Sequence, residues 1–249
     1  MNFFISKNLG SVKANIILVY FFLLSFHTLF SQTDSTLTDS ETFIAEENSI
    51  LADPPDKIHP FSIRLSSGVP NPLNSSLFRK SMIGIYEVNV LSAFRIGNYW
   101  YAGLGFNNSL LSLSNRTKFN AKTKMQSYGV FARIGYDYYH TNKTFSSFFV
   151  NGGYKKGFYT GILNLDKKPQ DPNFEMAYIQ PGYSINFFSE EQLTLGFYIA
   201  LQQMFWKFNP QQINLTDSGI EVSKYNNNSN ASFWIIGLEM YIGLGKQSK

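Results

Sequence analysis

Hydrophobic and polar positions alternate along most of the chain after residue 60. In Ala231–Gly245, Ser232, Trp234, Ile236, Leu238, Met240, Ile242 and Leu244 fall on alternate positions. Phe233, Ile235, Gly237, Glu239, Tyr241 and Gly243 lie between them. A strand sends successive side chains to opposite faces. One face of this segment is therefore bulky and apolar, and the other is small or mixed with a single carboxylate. The bulky face suits either a soluble core or lipid.

Seven further segments show the same stripe: Phe61–Val69, Met82–Phe94, Tyr99–Leu110, Met125–Tyr138, Phe145–Phe158, Glu175–Phe188 and Gln192–Phe208. The clearest sets Tyr128, Val130, Ala132, Ile134 and Tyr136 against Ser127, Gly129, Phe131, Arg133, Gly135 and Asp137. In Met82–Phe94, Tyr86, Val88 and Val90 oppose Ile85, Glu87, Asn89 and Leu91. Each segment is long enough to cross a membrane as a tilted strand, which takes about 9–11 residues. Pro181 removes a ladder donor inside the sixth, so a bulge, a break or a shifted strand is expected there.

The connections alternate in length. Pro70–Ser81, Leu111–Lys124, Tyr159–Phe174 and Asn209–Asn230 are long; Arg95–Asn98, Tyr139–Thr144 and Ser189–Glu191 are short. In outer-membrane barrels short turns are periplasmic and long loops extracellular. Eight strands then put both termini in the periplasm. Aromatic girdles are expected at both ends. Trp100, Tyr99, Tyr136, Tyr138, Phe187 and Phe188 mark the short-turn end. Phe158, Tyr159, Phe205, Trp206, Phe208 and Trp234 mark the other.

Composition supports lipid over a soluble core. Of 249 residues only 15% are charged, while 17% are aromatic, with 24 Phe and 15 Tyr. Soluble domains carry about 25% charge. Mean hydropathy is nevertheless −0.14. Membrane character without helix-scale hydropathy is what a barrel gives, because half of each strand faces inward. There is no Cys, which excludes disulfides, thiolate metal sites, Cys nucleophiles and a lipid anchor on Cys. A net charge of +4 without a basic tract argues against nucleic acid.

The first 60 residues differ. Lys7 and Lys13 precede an apolar run, Ile16–Phe30, of signal-peptide length, so residues 1–31 read as a signal cleaved after Ser31. The alternative is an uncleaved anchor. Residues 32–59 hold seven acids, Asp34, Asp39, Glu41, Glu46, Glu47, Asp53 and Asp56, against Lys57, or −6. Such a segment buries too little apolar surface to fold alone, and reads as a disordered acidic periplasmic leader. Removing the signal's two lysines and this leader leaves 18 bases and 10 acids, or +8, in residues 60–249. Arg79, Lys80, Arg116, Lys118, Lys122, Lys124, Lys167, Lys168 and Lys224 fall in connections, where they suit an anionic lipopolysaccharide surface or simple loop solubility.

The alternation sends Arg64, Glu87, Arg133, Asp137, Lys155 and Glu239 into the lumen. Unpaired charge there is costly, so a salt-bridged network that stabilises a filled barrel is expected. A polar path for protons or solutes is the alternative. Enzymatic chemistry in such a barrel needs His beside Ser, Asp or Glu at the outer rim. Beyond His27 in the signal segment, the chain offers only His59, read as a linker residue, and His140, in a short turn. No catalytic, cofactor or metal site is expected. Gly103, Gly105, Gly152 and Gly153 read as small strand positions under bulky neighbours.

From Phe61 to Gly245 the chain resembles the small Bacteroidetes outer-membrane β-barrel family, of the OmpA/OmpX-like type without a peptidoglycan-binding domain. The ending in Ser31 before Gln32 resembles exported proteins of that group, and Gly237, Met240 and Ile242 fit the C-terminal insertion signal. Ile235 and Lys246–Lys249 depart from it. The resemblance implies an all-β fold, an eight-stranded antiparallel transmembrane β-barrel over residues 60–249. It also implies an outer-membrane location and contact with lipid, lipopolysaccharide and the barrel-assembly machinery. The expected function is non-enzymatic, a structural or surface-binding role through extracellular loops with a periplasmic or surface protein partner. The alternatives are an accessory part of a secretion or gliding machine that docks through the leader, a small-solute channel, and a soluble periplasmic carrier.

Overall fold

The computed structural model describes residues 59–73, 76–113, 123–141, 144–161, 172–188, 192–209, 212 and 230–244. The signal and all of the acidic leader except His59 lie outside the described residues, as does most of each of the last three long connections.

Every alternating segment forms a strand. They are β1 (Phe61–Pro72), β2 (Met82–Arg95), β3 (Trp100–Leu113), β4 (Lys124–Thr141), β5 (Thr144–Thr160), β6 (Asn173–Phe188), β7 (Leu193–Lys207) and β8 (Asn230–Leu244). Each pairs antiparallel with the next, and β8 returns to β1 from Phe61↔Leu244 to Pro72↔Phe233. The result is a closed eight-stranded barrel. Closure removes every sheet edge. It also places the first and last strand ends together, beside the short connections.

The strands send their apolar positions outward. Leu104 is 72% exposed, Phe197 66% and Val130 64%, and each of the eight strands adds exposed large apolar side chains. The inward positions are buried and largely polar, with Ser66, Glu87, Asn107, Ser127, Asn151, Gln180, Ser184 and Gln202 among them. A soluble barrel has the opposite arrangement, because apolar surface belongs away from water. The chain is an eight-stranded antiparallel transmembrane β-barrel.

The structure corrects the expectation at three places, and at Pro181 it shows the expected break in one ladder only. Ile85 does not share the inward face of Glu87; it is 47% exposed, like Ile83. The β2–β3 register shifts between Gly84 and Tyr86, and an extra residue there reverses the phase. At Pro181 the strand is neither split nor shifted. The β6–β7 ladder passes from Ile179↔Gln203 to Gly182↔Ala200 in one register and skips the proline and its neighbour. The β5–β6 ladder runs through Val150↔Pro181 without a break. The connection expected at Pro70–Ser81 begins as strand to Pro72 and ends in a short helix, α1 (Ser76–Ser81). Gly152 faces outward with open space where a β-carbon would stand, and is not under a bulky neighbour.

Candidate functional site

The interior is a polar middle between two aromatic ends. Two clusters build the middle, because inward positions on opposite walls meet across a narrow lumen.

At the short-turn end, Arg64 of β1 donates to Asp137 of β4 through Nη2 at 2.8 Å and Nη1 at 3.4 Å. Nη1 also reaches Ser147 Oγ at 3.3 Å, and that hydroxyl lies 2.9 Å from Tyr101 OH. The Arg64 guanidinium sits 3.6 Å over the Tyr101 ring and 5.1 Å over Tyr241. Arg95, the last residue of β2, donates to the same Asp137 Oδ2 at 2.9 Å, to the Asn98 carbonyl at 2.9 Å, and to Tyr139 OH.

Deeper in, Arg133 of β4 reaches across to Glu239 of β8 at 3.1 Å. Its Nε donates to Asn151 Oδ1 at 2.7 Å, and its guanidinium lies 3.9 Å over Phe149. Asn151 donates to Gln180 Oε1 at 2.8 Å, and Gln180 donates to Glu87 at 3.1 Å. Glu87 also accepts from Lys155 Nζ at 3.1 Å and from Gln202 Nε2 at 3.3 Å. The Arg133–Glu239 and Lys155–Glu87 pairs are therefore joined through the amides of Asn151 in β5 and Gln180 in β6, while Gln202 in β7 braces the Lys155–Glu87 pair. Amides suit this position because each both donates and accepts.

All six charged residues marked by the alternation point inward and are almost wholly buried. Arg95 was not marked, although it follows the phase of Glu87, Asn89 and Leu91. Its place at the strand end made it read as a turn residue. Asn151, Gln180 and Gln202 carry no charge and gave no separate signal.

The two ends are closed by aromatic side chains. At the short-turn end Tyr139, Phe145 and Tyr241 are buried, with ring centroids 5.4 Å and 6.3 Å apart in sequence around Phe145. His59 is buried beside them against Gly243, so it is not a free linker residue. His140 lies outside, exposed, with Nε2 2.7 Å from Ser146 Oγ. At the long-loop end α1 turns Leu77 and Phe78 into the barrel, where both are 1% exposed or less. Phe78 packs against Trp206, Phe208 and Phe233 at 6.0, 5.0 and 5.7 Å, and Phe174 stacks on Trp206 at 4.7 Å. Met82, Met125, Met176 and Met204 fill around them.

This corrects one girdle. Tyr159, Trp206 and Phe208 are expected at the lipid interface, but Tyr159 and Phe208 are buried in this inner layer and Trp206 packs within it. Strand ends near a barrel mouth show aromatics on both faces, and alternation alone does not say which face a mouth residue serves. Trp100 and Phe187 at the short-turn end, and Phe205 at the other, do face outward.

No protein-family model and no curated protein matches this chain. Solved structures do. Neisserial surface protein A is similar over 74% of this chain and 97% of its own, at 10% identity and a TM-score of 0.48. Ail, the attachment invasion locus protein of Yersinia pestis, covers 74% of this chain and 99% of its own, at 8% identity and 0.42. A major outer membrane protein from Thermus thermophilus covers 73% and 98%, at 14% and 0.40.

Proposed function

We propose that the chain is a non-enzymatic outer-membrane protein whose barrel is a rigid scaffold and whose long connections act at the cell surface. The observation that carries this reading is the filled lumen. Ion pairs and amides occupy its middle, and aromatic layers close both ends. A barrel filled in this way has no passage to offer, which favours the scaffold over the small-solute channel. The apolar exterior argues against a soluble carrier.

In this reading the short turns and both termini are periplasmic. Charge at the opposite end supports a lipopolysaccharide partner. Among the described residues there, Arg79, Lys80, Lys124, Lys156 and Lys207 are exposed, against the single exposed carboxylate of Glu175. Cations just beyond an apolar band meet the phosphates of an anionic leaflet. The insertion-signal residues of β8 support delivery by the barrel-assembly machinery. The Bacteroidetes setting, and with it the secretion or gliding role, rests on the sequence features of the export signal and leader.

The test is loop shortening. Trimming 162–171 and 213–229 should abolish binding to a surface partner while the barrel keeps its heat-modifiable gel mobility. Binding that survives would overturn the surface role. Loss of export on deleting Gln32–Lys57, with normal barrel abundance, would favour the secretion role instead.

A further inference from the structure

Two ladders stop short of the long-loop rim. The β1–β2 ladder ends at Gly68↔Glu87, although β1 continues to Pro72 and β2 begins at Met82. The β6–β7 ladder ends at Tyr178↔Met204, although β6 begins at Asn173 and β7 continues to Lys207. Prolines, which have no N–H to donate, stand on both lines: Pro70 and Pro72 on β1, and Pro181 on β6. Between the two lines lie the rim ends of β7, β8 and β1. These stay paired to one another, through Lys207↔Asn230 on one side of β8 and from Gly68↔Gly237 to Pro72↔Phe233 on the other. The sector is joined internally by backbone and bounded on both sides by interrupted pairing.

Side chains hold this sector where the ladders do not. Phe78 of α1 packs on Trp206 of β7, on Phe208 just past it, and on Phe233 of β8. Trp206 in turn stacks on Phe174 of β6, across the second line, at 4.7 Å. Gln203 Nε2 donates to the carbonyls of Met204 and Ala231, at 3.2 and 3.3 Å, where the β7–β8 register shifts. At the base of the sector Gly68 faces Gly237 in the β1–β8 ladder, and neither carries a side chain to resist bending. Proteins open locally, in cooperative units, where backbone pairing and packing are thinnest.

We infer that the rim sector Met204–Lys207, Asn230–Ile236 and Val69–Pro72 is a flap that swings as one unit about Gly68 and Gly237, latched shut by the Phe78–Trp206–Phe174 aromatic contacts. The Arg64–Asp137 and Arg133–Glu239 pairs lie on the short-turn side of the hinge on β1 and β8. Opening leaves both pairs in place, so the middle of the lumen stays filled while the rim moves.

Amide hydrogen exchange, read by mass spectrometry on the full chain folded in lipid vesicles, tests the flap. Its three segments should exchange together, about tenfold or more faster than the rim amides of Leu110–Leu113, Lys124–Gln126 and Phe158–Thr160, which belong to strands paired to their ends. Trp206→Ala should speed all three segments by about a further tenfold. The chain has no cysteine, so a single bridge can be added. Ala177→Cys with Phe205→Cys, opposite one another if the β6–β7 register is extended, should slow all three segments to the rate of the other rim when oxidised and release them when reduced. Oxidised and reduced forms are the same variant, so this arm stands if Trp206→Ala fails to fold. One exchange rate around the whole rim of the parent would overturn the flap. So would a Trp206→Ala effect confined to residues 204–207, which is fraying of β7 alone.

Discussion

Glu239, the only carboxylate of the last strand, accepts from Arg133 at 3.1 Å across the full width of the lumen. Each side chain is 2% exposed. Two charges withdrawn this far from water depend on one another. Removing one leaves the other buried and uncompensated, at a cost of about 3–5 kcal/mol, whereas replacing both with apolar groups is often neutral. Glu239→Ala should therefore lower barrel stability by that amount in urea unfolding from vesicles. Arg133→Met added to Glu239→Leu should recover most of it. A double variant as unstable as the sum of the two single changes would mean that the pair is not coupled.

Two glycines one strand apart should respond oppositely. A Cβ on Gly135 would collide with the Tyr101 ring, which lies flat against it. Gly152 has open space on the lipid side. Gly135→Val should cost at least about 1–3 kcal/mol, because overpacking displaces a ring that also carries Arg64. Gly152→Val should change stability by about 0.5 kcal/mol or less. Equal effects in the same unfolding assay would contradict the assigned faces.

The helix stopper should hold the long-loop mouth closed. Phe78 is fully buried among Trp206, Phe208 and Phe233. Phe78→Ala should destabilise by about 3–5 kcal/mol. The parent protein should be silent in planar bilayers, and Phe78→Ala should stay silent too, since the ion-paired middle and the short-turn layer remain. Steady conductance in the parent would contradict the filled lumen.

Much of this was legible in the sequence because strand alternation is a strong signal when one face meets lipid and the other a polar lumen. Arg64, Glu87, Arg133, Asp137, Lys155 and Glu239 were all placed inward by that rule alone. Their partners were not, since pairing across a lumen depends on shear and tilt, which no single strand encodes. The rule also failed where phase changes. The bulge at Gly84/Tyr86 sent Ile85 outward, and the mouth residues Tyr159 and Phe208 joined an inner layer. Helix α1 escaped notice because six residues give too short a period to read.

The lipid face has its own energetic signature. Leu238 is 59% exposed at the centre of the bulky face of β8. Leu238→Arg should hinder insertion by about 2–4 kcal/mol if the site is near the bilayer midplane. Normal membrane assembly of that variant would show the face to be wrongly assigned.

The most direct measurement is a quenching scan along β8. Single cysteines at positions 235 to 242, each carrying a small fluorophore, are read in vesicles of brominated lipid. The account predicts a period of two: strong quenching at Ile236, Leu238, Met240 and Ile242, and weak quenching at Ile235, Gly237, Glu239 and Tyr241. Uniform quenching, or none at any position, would contradict a barrel that spans the membrane with this face to lipid.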